Sequence, residues 1–413
     1  MEKFRSLYVA TLSVALLGPV AARADAVLDW NTIAVNTAVA NKANPFAQGR
    51  YAAIVQLAVF EAVNSITQEY RPYVGIKPAA PDASAQAAAI EAAYKVLSNY
   101  FAASQAALDA ARQSSLAAIP DGQAKLDGIA TGDAAAQAMI ELRTNDGSST
   151  APLTKAPGPA VPGEWQLTKG CTAGIAYNWQ FVAPFGIASA GDYLLPPPPA
   201  LASERYARAY NEVMTVGAVD STVRPQDRAN VVLFFAATSP TQAFNQAARE
   251  VAAEKGGSLA ENARALALVN MAINDALVAS FLNKYHYNFW RPETAIHVAD
   301  TDGNPNTVVD SDWAPFITTP CFPSYPSNHG SGANAAAEVL RRLYGEAAHA
   351  MTLTNAAVPT VIMQYDSFKE ICDDISDARV YGGIHFRTDQ EAGADLGRAI
   401  GKAVFKNNLQ PAH

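Results

Sequence analysis

The chain has 413 residues, 50% of them hydrophobic and 16% charged, with 38 Asp and Glu against 30 Lys and Arg for a formal net charge of -8. That is length for one large helical domain or two, with ample apolar content for a core, and it excludes extensive disorder. The acidic balance leaves no general basic field for a nucleic-acid backbone, so no nucleic-acid partner is expected and any anion site must be local.

Taken in chain order, Lys3 and Arg5 precede an apolar run from Leu7 to Val20, and Ala22, Arg23 and Ala24 have the form of a signal-peptidase site. The run is short for a bilayer span, so residues 1–24 read as a signal peptide and the mature chain as exported, periplasmic or secreted. It would carry 37 acids against 27 bases. Residues 25–150 form an N-terminal helical region: Tyr51, Ile54, Val55, Ala58, Val59 and Ala62 recur at helical spacing, and Pro72, Pro78 and Pro81 interrupt the pattern. Residues 151–200 read as a Pro/Trp-rich connecting loop, with Pro152, Pro157, Pro159, Pro162 and the run Pro196 to Pro199 around Trp165, Trp179 and Phe185.

Helical pattern returns over residues 201–413. Ser258 with Glu261, Ser367 with Glu370 and Thr388 with Glu391 each have the form of a capping box, the first opening a long helix to about Lys284. Period-2 patterns are scarce, so an all-α fold with bundle packing is expected. The longest apolar window, Leu266 to Phe281, is interrupted by Asn270, Asn274 and Asp275, and no transmembrane span is expected. Cys171, Cys321 and Cys372 allow at most one internal disulfide.

Three clusters carry candidate chemistry. In the first, Lys284 and Arg291 are seven residues apart, nearly two helical turns, and grip one polyanion if the helix continues that far and Pro292 ends it; the plain alternative is a solvated face. The second, Pro323 to Gly330, places Ser327, the Asn328 amide and His329 at a helix N-terminus, where unpaired N–H groups favour an anion. Ser327 as a simple N-cap and His329 as a surface residue is the alternative. The third runs from Arg379 through Gly382 and Gly383 to His385 and Asp389, whose carboxylate either orients the His385 ring or serves the dipole of the helix it begins. Together these supply cations, a hydroxyl, amides and two histidines, an inventory suited to a tetrahedral or trigonal-bipyramidal oxyanion. No HExxH or Cys/His spacing supports zinc, and P-loop, GxGxxG and GxSxG patterns are missing.

The ordered series K-x6-R-P, P-S-x-H and R-x5-H-x3-D resembles the signature shared by type 2 phosphatidic acid phosphatases and vanadium-dependent haloperoxidases. The resemblance extends through Pro162-Gly163-x-Trp165, Trp179-x-x-Val182-x-Pro184-Phe185 and the segment from Tyr206 to Val213, over roughly residues 28 to 405. It implies two packed helical bundles, the second carrying vanadate. Lys284, Arg291 and Arg379 would hold its equatorial oxygens with Ser327 and the Asn328 amide, His385 would bond vanadium at the apex, and His329 would be the acid-base group opposite. Lys284 would polarise bound peroxide. Phe322 resembles the phenylalanine of chloroperoxidase-type members. Asn328 stands where the family commonly has Gly, and Ala378 where it commonly has Ser.

The implied activity is oxidation of halide by hydrogen peroxide to hypohalous acid, with a small organic substrate as acceptor. The alternatives are an exported acid phosphatase, with phosphate in the site, a phosphomonoester as substrate and a phosphohistidine at His385, or a non-catalytic oxyanion-binding protein. About 260 residues of mature chain precede Lys284, more than a compact phosphatase needs, which favours the peroxidase.

Overall fold

A computed structural model describes residues 25–412, so the signal peptide expected over 1–24 lies outside the described residues. The fold is all-α. Its N-terminal part holds α1 (Ala26–Ala40), α2 (Pro45–Thr67), α3 (Ala85–Tyr100), α4 (Gln105–Ala117) and α5 (Gln123–Leu142). A mostly irregular stretch follows, with the short antiparallel pair β1 (Thr154–Lys155) and β2 (Gly174–Ile175). Then come α6 (Glu204–Val216), α7 (Gln226–Ala237), α8 (Pro240–Lys255), α9 (Leu259–Tyr287), α10 (Pro292–His297) and α11 (Asn328–Tyr344). An antiparallel hairpin of β3 (Ala347–Leu353) and β4 (Met363–Ser367) precedes α12 (Phe368–Tyr381) and α13 (Arg387–Asn407).

Helix α9 is the axis of the molecule. It opens on the reciprocal Ser258–Glu261 capping box and is apolar on every side, as a helix surrounded by others must be. By length and composition it could cross a membrane, yet 94% of its most apolar window is buried within the fold. Its polar side chains are spent on neighbouring elements. Asn270 joins Asn245 of α8, which receives a hydrogen bond from Asn31 of α1 at 2.7 Å. The Asp275 carboxylate accepts from the backbone N–H groups of Phe185, Gly186 and Ile187, and Asn283 accepts from Leu195 N–H. Two turns of one helix thus pin the irregular stretch, whose Trp165, Trp179 and Phe185 are buried as their apolar area demands. One apolar cluster runs from Ala26 to Leu409 and joins the N-terminal helices to the C-terminal ones.

One helix start differs from expectation, and one helix end decides a condition left open by the sequence. Thr388 is not a cap: Phe386 occupies that position, and Asp389, third in the helix, accepts the Phe386 N–H at 3.2 Å, so α13 already begins at Arg387. Nor does α9 reach Arg291. Asn288 takes a left-handed conformation and closes the helix, and Pro292, lacking an N–H, fits the first position of α10.

Helices α11 and α13 approach each other closely because α13 presents Gly393, Gly397 and Gly401 to the backbone of α11. A Cβ on Gly393 would lie 2.7 Å from Ser327 O, one on Gly401 2.5 Å from Ala335 O, and one on Gly397 closer still to Ser331 O. No side chain larger than hydrogen fits there, so the glycines fix how the start of α11 sits against the start of α13.

Candidate active site

The three clusters meet where α9, α11, α12 and α13 converge. Each site segment is tethered beside an aromatic anchor: Trp290 next to Arg291, Tyr325 two residues before Ser327, and Phe386 next to His385. All three anchors are buried in one secondary cluster with Tyr206 and Phe289. The disulfide Cys171–Cys321 ties the irregular stretch to the segment before Phe322, and Ile175 N–H donates to Cys321 O at 2.8 Å. Cys372 is a free, buried thiol.

Lys284 and Arg291 are 0% exposed and Arg379 3%. Although they lie on different elements, the polypeptide brings all three together. The Lys284 ammonium donates to the carbonyls of Pro323, Ser324 and Pro326 at 2.9, 2.7 and 2.5 Å, which uses its three protons and holds the loop ahead of α11. Arg291 Nε donates to Phe322 O and its Nη1 to Ile384 O, while Nη2 is buried without a partner among the described residues. Arg379 Nη1 donates to Phe235 O at 2.8 Å, and its Nε is likewise buried and unpaired. The Phe322 ring lies 5.2 Å from Lys284 Nζ and 5.1 Å from Arg291 Cζ, a cation–π arrangement on the cradle wall.

Ser327 caps α11 by accepting the Gly330 N–H, so its own hydroxyl proton remains for another acceptor. The Asn328 side chain is drawn to α9, where its Oδ1 accepts from Ser280 Oγ at 2.6 Å. That contact answers how an Asn is accommodated beside the cradle. Ala378 is fully buried among apolar neighbours.

His385 is oriented from both ends. Its Nδ1 is 2.8 Å from Asp389 Oδ2, and its Nε2 is 3.0 Å from Arg291 Nη1. A carboxylate only accepts and a guanidinium only donates, so both contacts require the tautomer with the proton on Nδ1 and a lone pair on Nε2. Asp389 Oδ2 also takes the Phe386 N–H, so one carboxylate orients the ring and serves the new helix. Gly383 allows the tight turn before His385: its φ is +78°, and a Cβ there would strike Gly217 O. His329 lines the same cavity, and among the described residues neither ring nitrogen has a hydrogen bond.

Electrostatics follow from three buried cations facing one carboxylate. Burial, then the charges of Arg379, Lys284 and Arg291, holds His329 well below the usual histidine range. The same holds for His385, where burial comes first and Arg291 has the largest effect among the charges. Burial and Arg291 depress Lys284, with Asp389 opposing. Burial lowers Arg291 to about 9 and Arg379 to about 10. Burial lifts Asp389 to about 6, against the Ser324 hydroxyl and the charge of Lys284.

A cavity of about 570 Å³ opens over these groups. His329, His385 and Arg379 contribute its ionisable surface, and Phe46, Leu277, Phe316, Ile317, Phe322 and Ile384 much of its apolar wall. Sequence spacing does not reveal that wall, which is assembled from residues hundreds of positions apart. Ser324, buried and 2.6 Å from Asp389 Oδ2, was also missed, although it lies inside the Pro323 to Gly330 motif.

The residues fit a tetraoxo anion. Two guanidinium N–H groups, a serine hydroxyl proton and a bare imidazole nitrogen lie in a buried site of excess positive charge, where unpaired donors cost free energy unless an acceptor meets them.

Comparison with known proteins agrees. Residues 264–412 match the family model of the VCPO second helical-bundle domain. The vanadium chloroperoxidase of Curvularia inaequalis is 29% identical over 204 residues, covering 40% of this chain, and the match spans about a third (33%) of that protein's length. Among solved structures, the first bacterial vanadium-dependent iodoperoxidase superposes with a TM-score of 0.80 at 24% identity, covering 94% of this chain and 97% of that one. A holo bacterial vanadium-dependent chloroperoxidase gives 0.69 at 15% identity, covering 94% of this chain and 93% of that one. The resemblance read from the three motifs is borne out, and the fold is that of these haloperoxidases.

Proposed function

We propose that this chain, whose residues 264–412 match the second helical-bundle domain of vanadium chloroperoxidase, is an exported vanadate-dependent haloperoxidase that oxidises halide with hydrogen peroxide to hypohalous acid. The observation that carries the reading is the pair of buried guanidinium nitrogens without a partner among the described residues, Arg291 Nη2 and Arg379 Nε, beside the unprotonated Nε2 of His385, which Arg291 Nη1 approaches to 3.0 Å. In this reading His385 Nε2 would be the ligand to vanadium, and Arg291, Arg379, Ser327 Oγ and the Asn328 backbone amide would hold the oxygens. Lys284 would add positive charge while its ammonium holds the carbonyls of Pro323, Ser324 and Pro326. Bound vanadate supplies a Lewis-acid centre that activates peroxide toward halide.

The chain's own residues then have defined tasks. Asp389 keeps the His385 proton on Nδ1, so that Nε2 presents its lone pair. His329, neutral and unengaged, takes the proton from incoming peroxide and can return it to a leaving oxygen. The buried cations compensate developing negative charge where water cannot screen it. The apolar wall limits water around the reacting groups and leaves room for a small organic acceptor. Export is supported by the Cys171–Cys321 disulfide, a bond favoured in oxidising compartments.

The deciding experiment assays purified protein, with and without orthovanadate, for peroxide-dependent oxidation of iodide and bromide and for hydrolysis of an aryl phosphate. Vanadate-activated halide oxidation, lost in His385→Ala, is expected. Hydrolysis inhibited by vanadate, with no halide oxidation, would replace this reading by the phosphatase. Binding of vanadate without either activity would leave an oxyanion-binding protein.

A further inference from the structure

We infer that Ser324 is a positioning residue for His385: its hydroxyl sets the Asp389 carboxylate so that the imidazole is held with Nδ1 protonated and Nε2 bare. The inference rests on the reading of His385 Nε2 as the atom that meets the bound anion.

Ser324, within the Pro323 to Gly330 turn, is hydrogen-bonded to both of the other motifs. Its carbonyl accepts from Lys284 Nζ at 2.7 Å. Its hydroxyl donates to Asp389 Oδ2 at 2.6 Å and lies 3.3 Å from His385 Nδ1. Its own N–H donates to Phe289 O at 2.8 Å. With backbone donor and acceptor both engaged, the residue cannot shift along the chain, and its side chain is fully buried. The hydroxyl is therefore delivered to a fixed point.

The effect is visible in how Asp389 is bonded. Ser324 Oγ, His385 Nδ1 and Phe386 N all converge on Oδ2, while Oδ1 is buried without a partner among the described residues. A carboxylate free to rotate would divide its donors between two oxygens. Loading one oxygen and leaving the other bare requires an outside constraint, and the short Ser324 bond is the shortest of the three. Because a serine hydroxyl has a single proton, its donation to Oδ2 leaves only Nδ1–H as the remaining side-chain donor to that oxygen. Serine and histidine thus lock each other's roles through one acceptor. Without the hydroxyl, Asp389 can turn toward its unused oxygen and loosen its hold on the ring, leaving the Arg291 Nη1 contact to His385 Nε2 at 3.0 Å as the remaining restraint, so that part of the population can shift to the Nε2 tautomer, which cannot meet an anion-bound centre with a lone pair.

The test uses full-length protein labelled with ¹⁵N-histidine, with His385 ring signals assigned by difference from His385→Ala. Wild type should show protonated Nδ1 and bare Nε2. Ser324→Ala should shift both ring nitrogens toward a mixture of tautomers, in the direction that Asp389→Asn takes further, and should weaken binding of inorganic phosphate about three- to tenfold by calorimetry. Ser324→Cys, close in volume and a weaker donor, should fall between; it is the variant read if Ser324→Ala does not melt cooperatively. Wild-type ring shifts in the folded variant, with unchanged phosphate affinity, would overturn the proposal. Should His385→Ala itself bind phosphate like wild type, the reading of the anion site fails, whereas the ring shifts still decide whether Ser324 sets the tautomer.

Discussion

His329 shows how a single side chain is tuned by what surrounds it. Burial and three neighbouring cations keep it neutral when folded, whereas an unfolded histidine titrates near pH 6.5. Below about pH 6.5 the unfolded chain binds a proton that the folded one refuses, so His329 subtracts stability as pH falls and contributes nothing above that range. His385 acts with the same sign. Asp389 acts with the opposite sign: lifted to about 6, it gains stability as pH drops from there toward its unfolded value near 4. His329→Gln removes only its own term, so in anion-free protein the decline in melting temperature between about pH 6.5 and 5 should become shallower. An unchanged slope would mean that His329 takes up its proton at least as readily in the folded protein as in the unfolded chain. The residues that make this tuning possible were legible in the sequence, because chemistry-bearing side chains cluster within three short motifs. Ser324 was not: a hydroxyl in a Pro-rich turn looks like a solvated loop residue until the fold brings α13 against it.

Helix boundaries were readable where the cap is chemical and local, and unreadable where it depends on the partner element. Ser258 and Ser367 meet their glutamates within one turn, so their capping boxes follow from spacing alone. The start of α13 does not, because Asp389 is committed to Phe386 N–H and His385 at once. Arg291 reaches the cradle from beyond the end of α9 for a similar reason: a left-handed Asn288 redirects the chain, and helical spacing carries no information past that residue. The glycine stripe of α13 is the element-scale feature on which the site most depends. Adding a methyl at Gly397 places it against Ser331 O, so Gly397→Ala must move the two helices apart. The strain should cost about 1–3 kcal/mol or more by denaturant unfolding. Because Ser327 and Asp389 stand at the two helix starts, anion affinity should fall with stability. Gly256→Ala, whose neighbourhood is open but whose φ is +64°, should reduce stability through backbone strain and leave affinity intact. Equal affinity in the two variants would separate the α11–α13 spacing from the site.

At the scale of the molecule, burying three cations around one carboxylate is a stability problem that an anion solves. One apolar cluster links the N-terminal helices to those bearing the site, so charge strain in the cradle is felt by the cooperative unit rather than by a loose lobe. A ligand that binds only the folded state adds about 2.7 kcal/mol at a hundred times its dissociation constant, and orthovanadate should therefore raise the melting temperature by several degrees. Arg379→Met distinguishes this from a general salt effect. It removes a buried cation with an unpaired Nε and one bond to Phe235 O, and replacing a poorly compensated buried charge with an apolar side chain of similar length is often neutral or stabilising. The anion-free melting temperature should hold or rise, while the vanadate-dependent increase is lost. Calorimetric melts of both proteins across a vanadate series measure the two effects together. A lower anion-free melting temperature with the vanadate shift retained would place Arg379 in the scaffold and outside the anion cradle.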